Sequence, residues 1–335
     1  MPAPDDTSRG VSPPRPHVPV MPDEVVELVG ARSGGIVVDG TFGAGGHARL
    51  IAPLLGPDGL YVGVDRDPSA ADRFATFAAE VEPVPTRFVR APFPDAFAEL
   101  AAEGLSADAV ILDIGVSSMQ LDQAERGFSY AHDAPLDMRM DPSAGANAAD
   151  LVADLDAREL ERILREYGEE RYARRIAGGI VRRRESGPIT RTAELVDVVL
   201  GSIPAAARHA PGGHPARRTF QALRIAVNDE LGMLDRGLDA ALELLAPDGR
   251  LVVMSFHSLE DRMVKRRIEA WHGKCTCPPG LPICVCGAVT RAESMTRGLV
   301  RPTEGEVARN PRAASTRLRA ARRVEPPRLV SGGPA

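Results

Sequence analysis

The stretch Ile36-Val37-Val38-Asp39-Gly40-Thr41-Phe42-Gly43-Ala44-Gly45-Gly46-His47 decides the fold class of this chain. A short apolar run ends at an acid, passes through four glycines and continues into the apolar segment 48–55. This order predicts a buried strand, a tight turn and the start of a helix. Glycines permit positive φ angles and let a ligand approach the backbone closely. The loop therefore predicts a cofactor pocket, although an ordinary strand-to-helix turn has the same pattern.

Strand-like apolar segments recur along the chain. They lie near residues 59–67, 86–90, 109–115 and 250–256, and segments with helical periodicity separate most of them. Alternating strands and helices of this length predict an α/β fold with a parallel sheet covered by helices. Between 119 and 215 there is no strong strand, so we expect a helical insert there. We expect one long helix from about Thr219 to Ala246 and a last strand near 315–320.

Composition limits the class of protein. The chain has 335 residues and a net charge of -5, so it lacks the overall basic character of many nucleic-acid-binding proteins. Six arginines between Arg171 and Arg184 and seven between Arg301 and Val324 form local basic runs, which are either phosphate-binding surfaces or solvated helix faces. Residues 1–16 lack the apolar core of a signal peptide. We expect a disordered leader at 1–16, a disordered tail at 325–335, no membrane segment and a cytoplasmic location.

All four cysteines lie in one short segment, at Cys275, Cys277, Cys284 and Cys286. A disulfide framework would spread its cysteines over the chain, and a cytosolic compartment disfavours disulfides. Two Cys-x-Cys pairs can supply four thiolates to a structural zinc ion. The alternative is a proline-rich loop with reduced thiols, and the sequence leaves both interpretations open.

Two cofactor classes compete for the glycine-rich loop. The nicotinamide pattern Gly-x-Gly-x-x-Gly would need Gly43, Gly45 and a third glycine at Ala48, so it fails at one position. The S-adenosylmethionine pattern Asp-x-Gly-x-Gly-x-Gly fits better, with Thr41 in place of its first glycine. Asp65 is placed to bind ribose hydroxyls in either class. Asp113 ends another strand, where open α/β sheets bind their ligands.

Further along the chain, a series of motifs appears in a fixed order. The motifs are HVPV (17–20), DGTFGAGGH (39–47), DIGVSS (113–118), RGF (126–128), PLDMRMD (135–141), YGEE (167–170), FQALRI (220–225), SFHSLEDR (255–262) and NPR (310–312). Together they closely resemble the ribosomal RNA small subunit methyltransferase H family, also called MraW. The resemblance extends from about His17 to Val324, nearly the whole chain.

The resemblance implies a Rossmann-like fold that uses S-adenosyl-L-methionine to methylate the N4 amine of a cytidine in the decoding region of 16S rRNA. It implies a methyltransferase domain in two parts, 17–118 and 216–324, with the helical insert 119–215 recognising the substrate. The implied cofactor-binding residues are Gly45, Gly46, His47, Asp65, Phe93, Asp113 and Gln120. The implied partner is 16S rRNA within the small ribosomal subunit. The oligomeric state stays open, and a homodimer is compatible with the sequence.

The chemistry of the implied reaction suggests a small set of catalytic candidates and no metal. The sulfonium methyl is already a strong electrophile, so catalysis consists mainly of positioning. Asp113 and the turn Ser117-Ser118 are candidates to accept an amine hydrogen, although Asp113 is more strongly implied as a cofactor-binding residue. His257 can orient the base or accept a proton. Two alternatives stay open: a noncatalytic RNA-binding or assembly factor with this fold, and a methyltransferase that acts on DNA or protein.

Overall fold

The computed structural model describes residues 19–116, 120, 123–208, 213–273, 277 and 286–329. Ser117, Ser118, the leader 1–16 and two of the four cysteines lie outside these ranges. The predictions made for them, including a zinc ion on four thiolates, therefore stay predictions. Among the described helices, none is long and apolar enough to cross a membrane.

The centre of the molecule is a seven-stranded sheet in the order β3-β2-β1-β4-β5-β7-β6. Its strands are β1 (Ile36–Asp39), β2 (Leu60–Val64), β3 (Thr86–Val89), β4 (Ala107–Asp113), β5 (Leu245–Ser255), β6 (Val289–Ser294) and β7 (Arg317–Leu329). Strands β1 to β5 pair in parallel, and β7 pairs antiparallel with both β5 and β6. The predicted α/β class is confirmed, but the sheet is mixed because β7 runs against its neighbours.

Helices cover both faces of the sheet. Those of the sheet region are α1 (Pro22–Val29), α2 (Gly46–Ile51), α3 (Ala70–Glu80) and α4 (Phe93–Ala102). Side chains alternate across each strand, so Val38 and Leu112 join one apolar cluster and Val37 and Ile111 join the other. Because of this alternation, both faces of the middle of the sheet are buried.

The region after β4 forms a separate helical cluster with its own apolar core. Its helices are α5 (Ala148–Asp154), α6 (Ala157–Glu166), α7 (Ala173–Arg184), α8 (Thr192–Ser202), α9 (Ala205–Arg208) and α10 (Arg217–Asn228). Leu160, Ile176 and Leu195 are buried in this core. Phe220 and Leu223 of α10 belong to the same core, so the cluster extends beyond residue 215.

The prediction of a single long helix from Thr219 to Ala246 is wrong. The chain forms α10 and then α11 (Glu230–Leu244), separated by Asp229 in the left-handed conformation at φ 48°. Helix α10 packs into the helical cluster, whereas α11 packs against α4 under the sheet. One straight helix cannot bury its apolar face in two places, so the chain breaks between them.

The carboxyl-terminal part is more ordered than expected. After α12 (Ser258–His272), strand β6 forms where no strand was expected, and α13 (Glu304–Arg309) precedes β7. Strand β7 continues to Leu329, where the sequence predicted a disordered tail from 325. The extension pairs with β6, with Leu329 opposite Val289. Because β6 supplies a partner for these backbone groups, the strand does not end at residue 324.

Candidate active site

A cleft of about 1780 Å³ opens at the carboxyl edge of the sheet. Strand order reverses direction between β1 and β4, and the loops that follow these two strands lie on the cleft wall. Ligands of open α/β sheets bind at such a switch point. The helical cluster and the segment after α13 supply the remaining walls, so the cleft is bounded by three parts of the chain.

The glycine-rich loop is fixed by hydrogen bonds to neighbouring strands. Gly43 and Gly45 have φ angles of 55° and 72°, in the left-handed region that favours glycine. The Thr41 hydroxyl accepts a hydrogen bond of 2.7 Å from the Asp113 backbone N–H. Thr41 stands where the S-adenosylmethionine pattern has its first glycine, and its hydrogen bond connects the loop to the end of β4.

Asp65 holds the same loop from the end of β2. One carboxylate oxygen accepts from the Gly43 N–H at 2.9 Å and the other from the Asp67 N–H at 2.9 Å. Burial raises the pKa of Asp65, and these two hydrogen bonds partly oppose that rise. The side chain lines the cleft, so its remaining lone pairs face the space where a ribose was predicted.

His47 lies at the start of α2 and is buried. Its Nε2 atom is 2.8 Å from the carbonyl oxygen of Val20, and its Nδ1 atom is 3.9 Å from Oδ2 of Asp113. A carbonyl can only accept, so Nε2 carries the proton in this contact. Burial lowers the pKa of His47, so the ring is neutral and Nδ1 faces Asp113 as an acceptor.

Asp113 is a cleft carboxylate with a raised pKa and one oxygen that is unpartnered among the described residues. Its Oδ1 atom is buried without a hydrogen-bond partner in the described part of the chain. Burial, together with the nearby charge of Glu260, raises its pKa to about 7. A buried acceptor without a donor is costly unless a ligand supplies the donor. Asp113 is therefore suited to hold an N–H group of a bound molecule.

Phe93 and Gln120 occupy other walls of the cleft. Phe93 begins α4, and its ring lies 5.8 Å from that of Phe97, so it is both a cleft residue and part of an aromatic pair. The Gln120 side-chain amide donates to Oδ2 of Asp67 at 3.1 Å. The same oxygen is 3.2 Å from a guanidinium nitrogen of Arg126.

Six of the seven predicted cofactor residues line this one cleft, although they come from distant parts of the sequence. The six are Gly46, His47, Asp65, Phe93, Asp113 and Gln120. At Gly45 a Cβ atom would come within 2.7 Å of the Phe42 ring, so this glycine permits close packing of the loop. Of the catalytic candidates, His257 also lines the cleft.

Beside His257 lies a buried polar cluster that the sequence did not reveal. Both oxygens of Glu230 accept from Arg224, at 2.8 and 2.9 Å. Nε2 of His257 is 2.9 Å from Oε1 of Glu260, whose other oxygen accepts from the backbone N–H groups of Phe256 and His257. Burial opposes ionisation of Glu260, but His257 and Arg224 together hold its pKa below the usual value.

This cluster also has the composition of a possible cation site. Ligand atoms of Glu230, His257 and Glu260 lie within 4.8 Å of one another. Arg224 already binds Glu230 through two hydrogen bonds and is itself a permanent cation. The guanidinium thus supplies positive charge to the buried carboxylates, as a metal ion would.

Asp39 is a further cleft residue that was not singled out as a ligand. Its oxygens accept from the Thr41 N–H at 3.0 Å and from the Tyr61 hydroxyl at 2.8 Å. Burial raises its pKa to about 6, although these two hydrogen bonds favour ionisation. Because Asp39 directly ends the apolar run of β1, its position at the cleft can be predicted from the sequence.

Comparison with known proteins identifies the family. Residues 15–324 match the MraW methylase family. The chain belongs to the MraW methylase family. It is 54% identical to ribosomal RNA small subunit methyltransferase H of Geobacter sulfurreducens, over 92% of this chain and 99% of the relative. It is 52% identical to the protein of the same name from Symbiobacterium thermophilum, over 91% of this chain and 95% of the relative.

A third relative of that name, from Citrifermentans bemidjiense, is 51% identical over 92% of this chain and 98% of its own length. Membership of the MraW family makes this chain a methyltransferase, and it confirms the resemblance that the ordered motifs indicated. In this MraW-family chain, the motifs 39–47 and 255–262 follow β1 and β5, so both reach the same edge of the sheet.

Proposed function

We propose that this methyltransferase transfers a methyl group from S-adenosyl-L-methionine to the N4 amine of a cytidine in the decoding region of 16S rRNA. The observation that carries the proposal is Asp113, whose buried Oδ1 atom lacks a donor in the described part of the chain. The names of the curated relatives support an rRNA target of the small subunit. We place this reaction in the cytoplasm.

The cofactor residues follow from the resemblance and fit the cleft. Gly45 precedes α2 as its N-cap, and Gly46 and His47 are the first two residues of the helix. The amino-terminal end of a helix attracts an anionic group such as a carboxylate. Asp65 is proposed to accept from ribose hydroxyls, and Phe93 and Gln120 to contact the remainder of the cofactor. Asp113 completes this set of seven. When bound, S-adenosyl-L-methionine supplies an electrophilic methyl group.

Asp113 has the properties that the transfer requires of a protein side chain. The lone pair of a cytosine amine is delocalised into the ring, so the amine is a weak nucleophile. An ionised Asp113 can accept one N4 hydrogen and favour the localised lone pair. As N4 takes up the methyl group that the bound cofactor would supply, N4 would release one proton, which Asp113 would accept and pass to solvent. A pKa of about 7 suits a group that gains and loses this proton near neutral pH.

His257 and the two serines keep their proposed supporting roles. Glu260 fixes His257 at the start of α12, where the ring lies on the cleft wall and can orient the base. Ser117 and Ser118 follow Asp113 directly in sequence and remain candidates to hold the second amine hydrogen. Arginines on the cleft wall, among them Arg66, Arg217 and Arg309, supply positive charge toward the RNA backbone.

Labelled methyl transfer tests the proposal. The purified protein is incubated with methyl-labelled S-adenosyl-L-methionine and with small ribosomal subunits, free 16S rRNA, DNA or total protein. We expect label in the rRNA of the small subunit, and nucleoside mass spectrometry should identify N4-methylcytidine. Label in DNA or protein would redirect the target, and cofactor binding without transfer would favour a noncatalytic assembly factor.

A further inference from the structure

One face of α10 presents an unusual set of side chains to the cleft. Arg217, Phe220, Gln221 and Arg224 all line it, and their spacing of three, one and three residues places them on one side of the helix. Gln221 donates to the Tyr167 carbonyl, and Arg224 is held by Glu230. Arg217 is exposed at the amino-terminal end of this face.

An aromatic group lies against this face. The ring of Tyr130 meets Phe220 edge-to-face, with ring centroids 5.8 Å apart and planes at 84°. Tyr130 also stacks on His214 at 4.7 Å and 10°. Tyr130 is half-buried, lines the cleft and is held by two rings in one orientation. Its position is therefore set before any ligand binds.

Phe256 is a second aromatic residue of the cleft and lies near the end of β4, where Asp113 is. A Cβ atom on Gly115 would lie 3.4 Å from Cδ2 of Phe256, so this ring is in contact with the turn that follows Asp113. Phe256 is half-buried and also lines the cleft. Aromatic residues make up only 4% of the chain, so two partly exposed rings in one cleft are not explained by composition.

We propose that Tyr130 and Phe256 form a stacking wall for an extruded pyrimidine nucleotide, with Arg217 binding its phosphate. Enzymes that modify a base take it out of its stack and hold it against aromatic side chains. Aromatic rings stack on any base, so the stacking wall contributes affinity for the extruded nucleotide. The contact between Asp113 and the N4 amine selects cytosine. Phe220 acts through Tyr130 and is a positioning residue. This inference rests on the proposed function.

The test uses small ribosomal subunits that carry the fluorescent base pyrrolo-cytosine at the methylated position. Extrusion of this base from its stack changes its fluorescence when the wild-type protein binds. We expect Tyr130→Leu and Phe256→Leu to weaken the fluorescence change and raise the KM for unlabelled subunits about 10-fold each, since stacking on one aromatic ring has about that effect. Affinity for S-adenosyl-L-methionine should change less than about 2-fold.

Two further variants separate stacking from folding. Tyr130→Phe keeps the ring face and should retain nearly the wild-type signal. Tyr172→Leu makes the same change at a half-buried tyrosine of the same apolar cluster and should have no effect on extrusion. If the wild type methylates cytidine N4 and both leucine variants have its fluorescence change and its KM, the stacking wall is refuted but the proposed function stands. If the wild type transfers no methyl group to rRNA, the proposed function fails instead.

Discussion

The guanidinium of Arg126 lies 3.2 Å from Oδ2 of Asp67 and also donates to the carbonyl oxygens of Arg139 and Met140. Asp67 follows β2, whereas Met140 packs in the helical cluster. One half-buried side chain thus joins two walls of the cleft. Removing either partner of a buried pair leaves the other charge uncompensated.

We therefore expect Arg126→Ala to lower the free energy of unfolding by about 3 kcal/mol, measured by urea denaturation. The control is Arg162→Ala, which breaks an exposed i,i+4 pair with Glu166 and should have an effect below about 0.5 kcal/mol. An equal loss of unfolding free energy in the two variants would show that the Arg126 contacts stabilise the fold no more than an ordinary surface ion pair.

Methyl transfer should depend on the ionisation of Asp113. Because its pKa is raised to about 7, the fraction of ionised acceptor grows as the pH increases through that value. We expect kcat/KM of the wild type to rise between pH 6 and 8 and then level off. Asp113→Asn should reduce the rate about 100-fold or more and remove this rise.

The matched control for Asp113 is Asp72→Asn, an exposed acid in α3 that should leave both rate and profile unchanged. A flat wild-type profile across this range, or full activity of Asp113→Asn, would contradict the role of Asp113 as acceptor.

Asp39 makes folding stability pH-dependent in a defined direction. Its folded-state pKa is about 6 against an ordinary value of 3.8, so the native state binds its proton more tightly than the unfolded state. The contribution of this group to stability therefore falls as the pH rises from about 4 to 6 and is constant above. The shift corresponds to about 3 kcal/mol.

Asp39→Asn removes this titration, so the wild type should lose about 3 kcal/mol relative to the variant between pH 4 and 7. Unfolding free energies of both proteins at each pH give this difference, in which the titrating groups that do not interact with Asp39 cancel. A difference that stays constant with pH would contradict the raised pKa.

Gly237 provides a test of Phe93 that does not alter Phe93 itself. A Cβ atom on Gly237 of α11 would lie 2.0 Å from Cε2 of Phe93, so Gly237→Ala must displace that ring from the cleft wall. If Phe93 contacts the cofactor, the Kd for S-adenosyl-L-methionine should rise about 10-fold in calorimetric titration.

Gly201→Ala is the control, because the structure leaves open space at this glycine of α8. It should leave cofactor affinity unchanged and stabilise the fold by about 0.5 kcal/mol through helix propensity. Unchanged affinity in Gly237→Ala would remove Phe93 from the cofactor site.

Local sequence patterns predicted most strands of the sheet, but they did not predict the path of the chain between its elements. Strands β1, β2 and β4 are short apolar runs that end at or just before an acid, and such runs can be recognised from the local sequence alone. The break at Asp229 was missed because apolar spacing continues through it. Asn228 holds this break by accepting from the Met140 N–H and donating to the Met138 carbonyl. These contacts join residues about 90 positions apart, and no local pattern encodes them.

The sequence by itself determined the family, the α/β class and a set of glycines and acids that end the strands. The reason is that strand periodicity, turn chemistry and ordered motifs are local properties of the chain. Only the tertiary structure decided that the Val20 carbonyl contacts His47 and that one oxygen of Asp113 has no donor among the described residues. It alone brought Tyr130 and Phe256 to one cleft, because packing between distant segments sets burial, pKa and ring orientation.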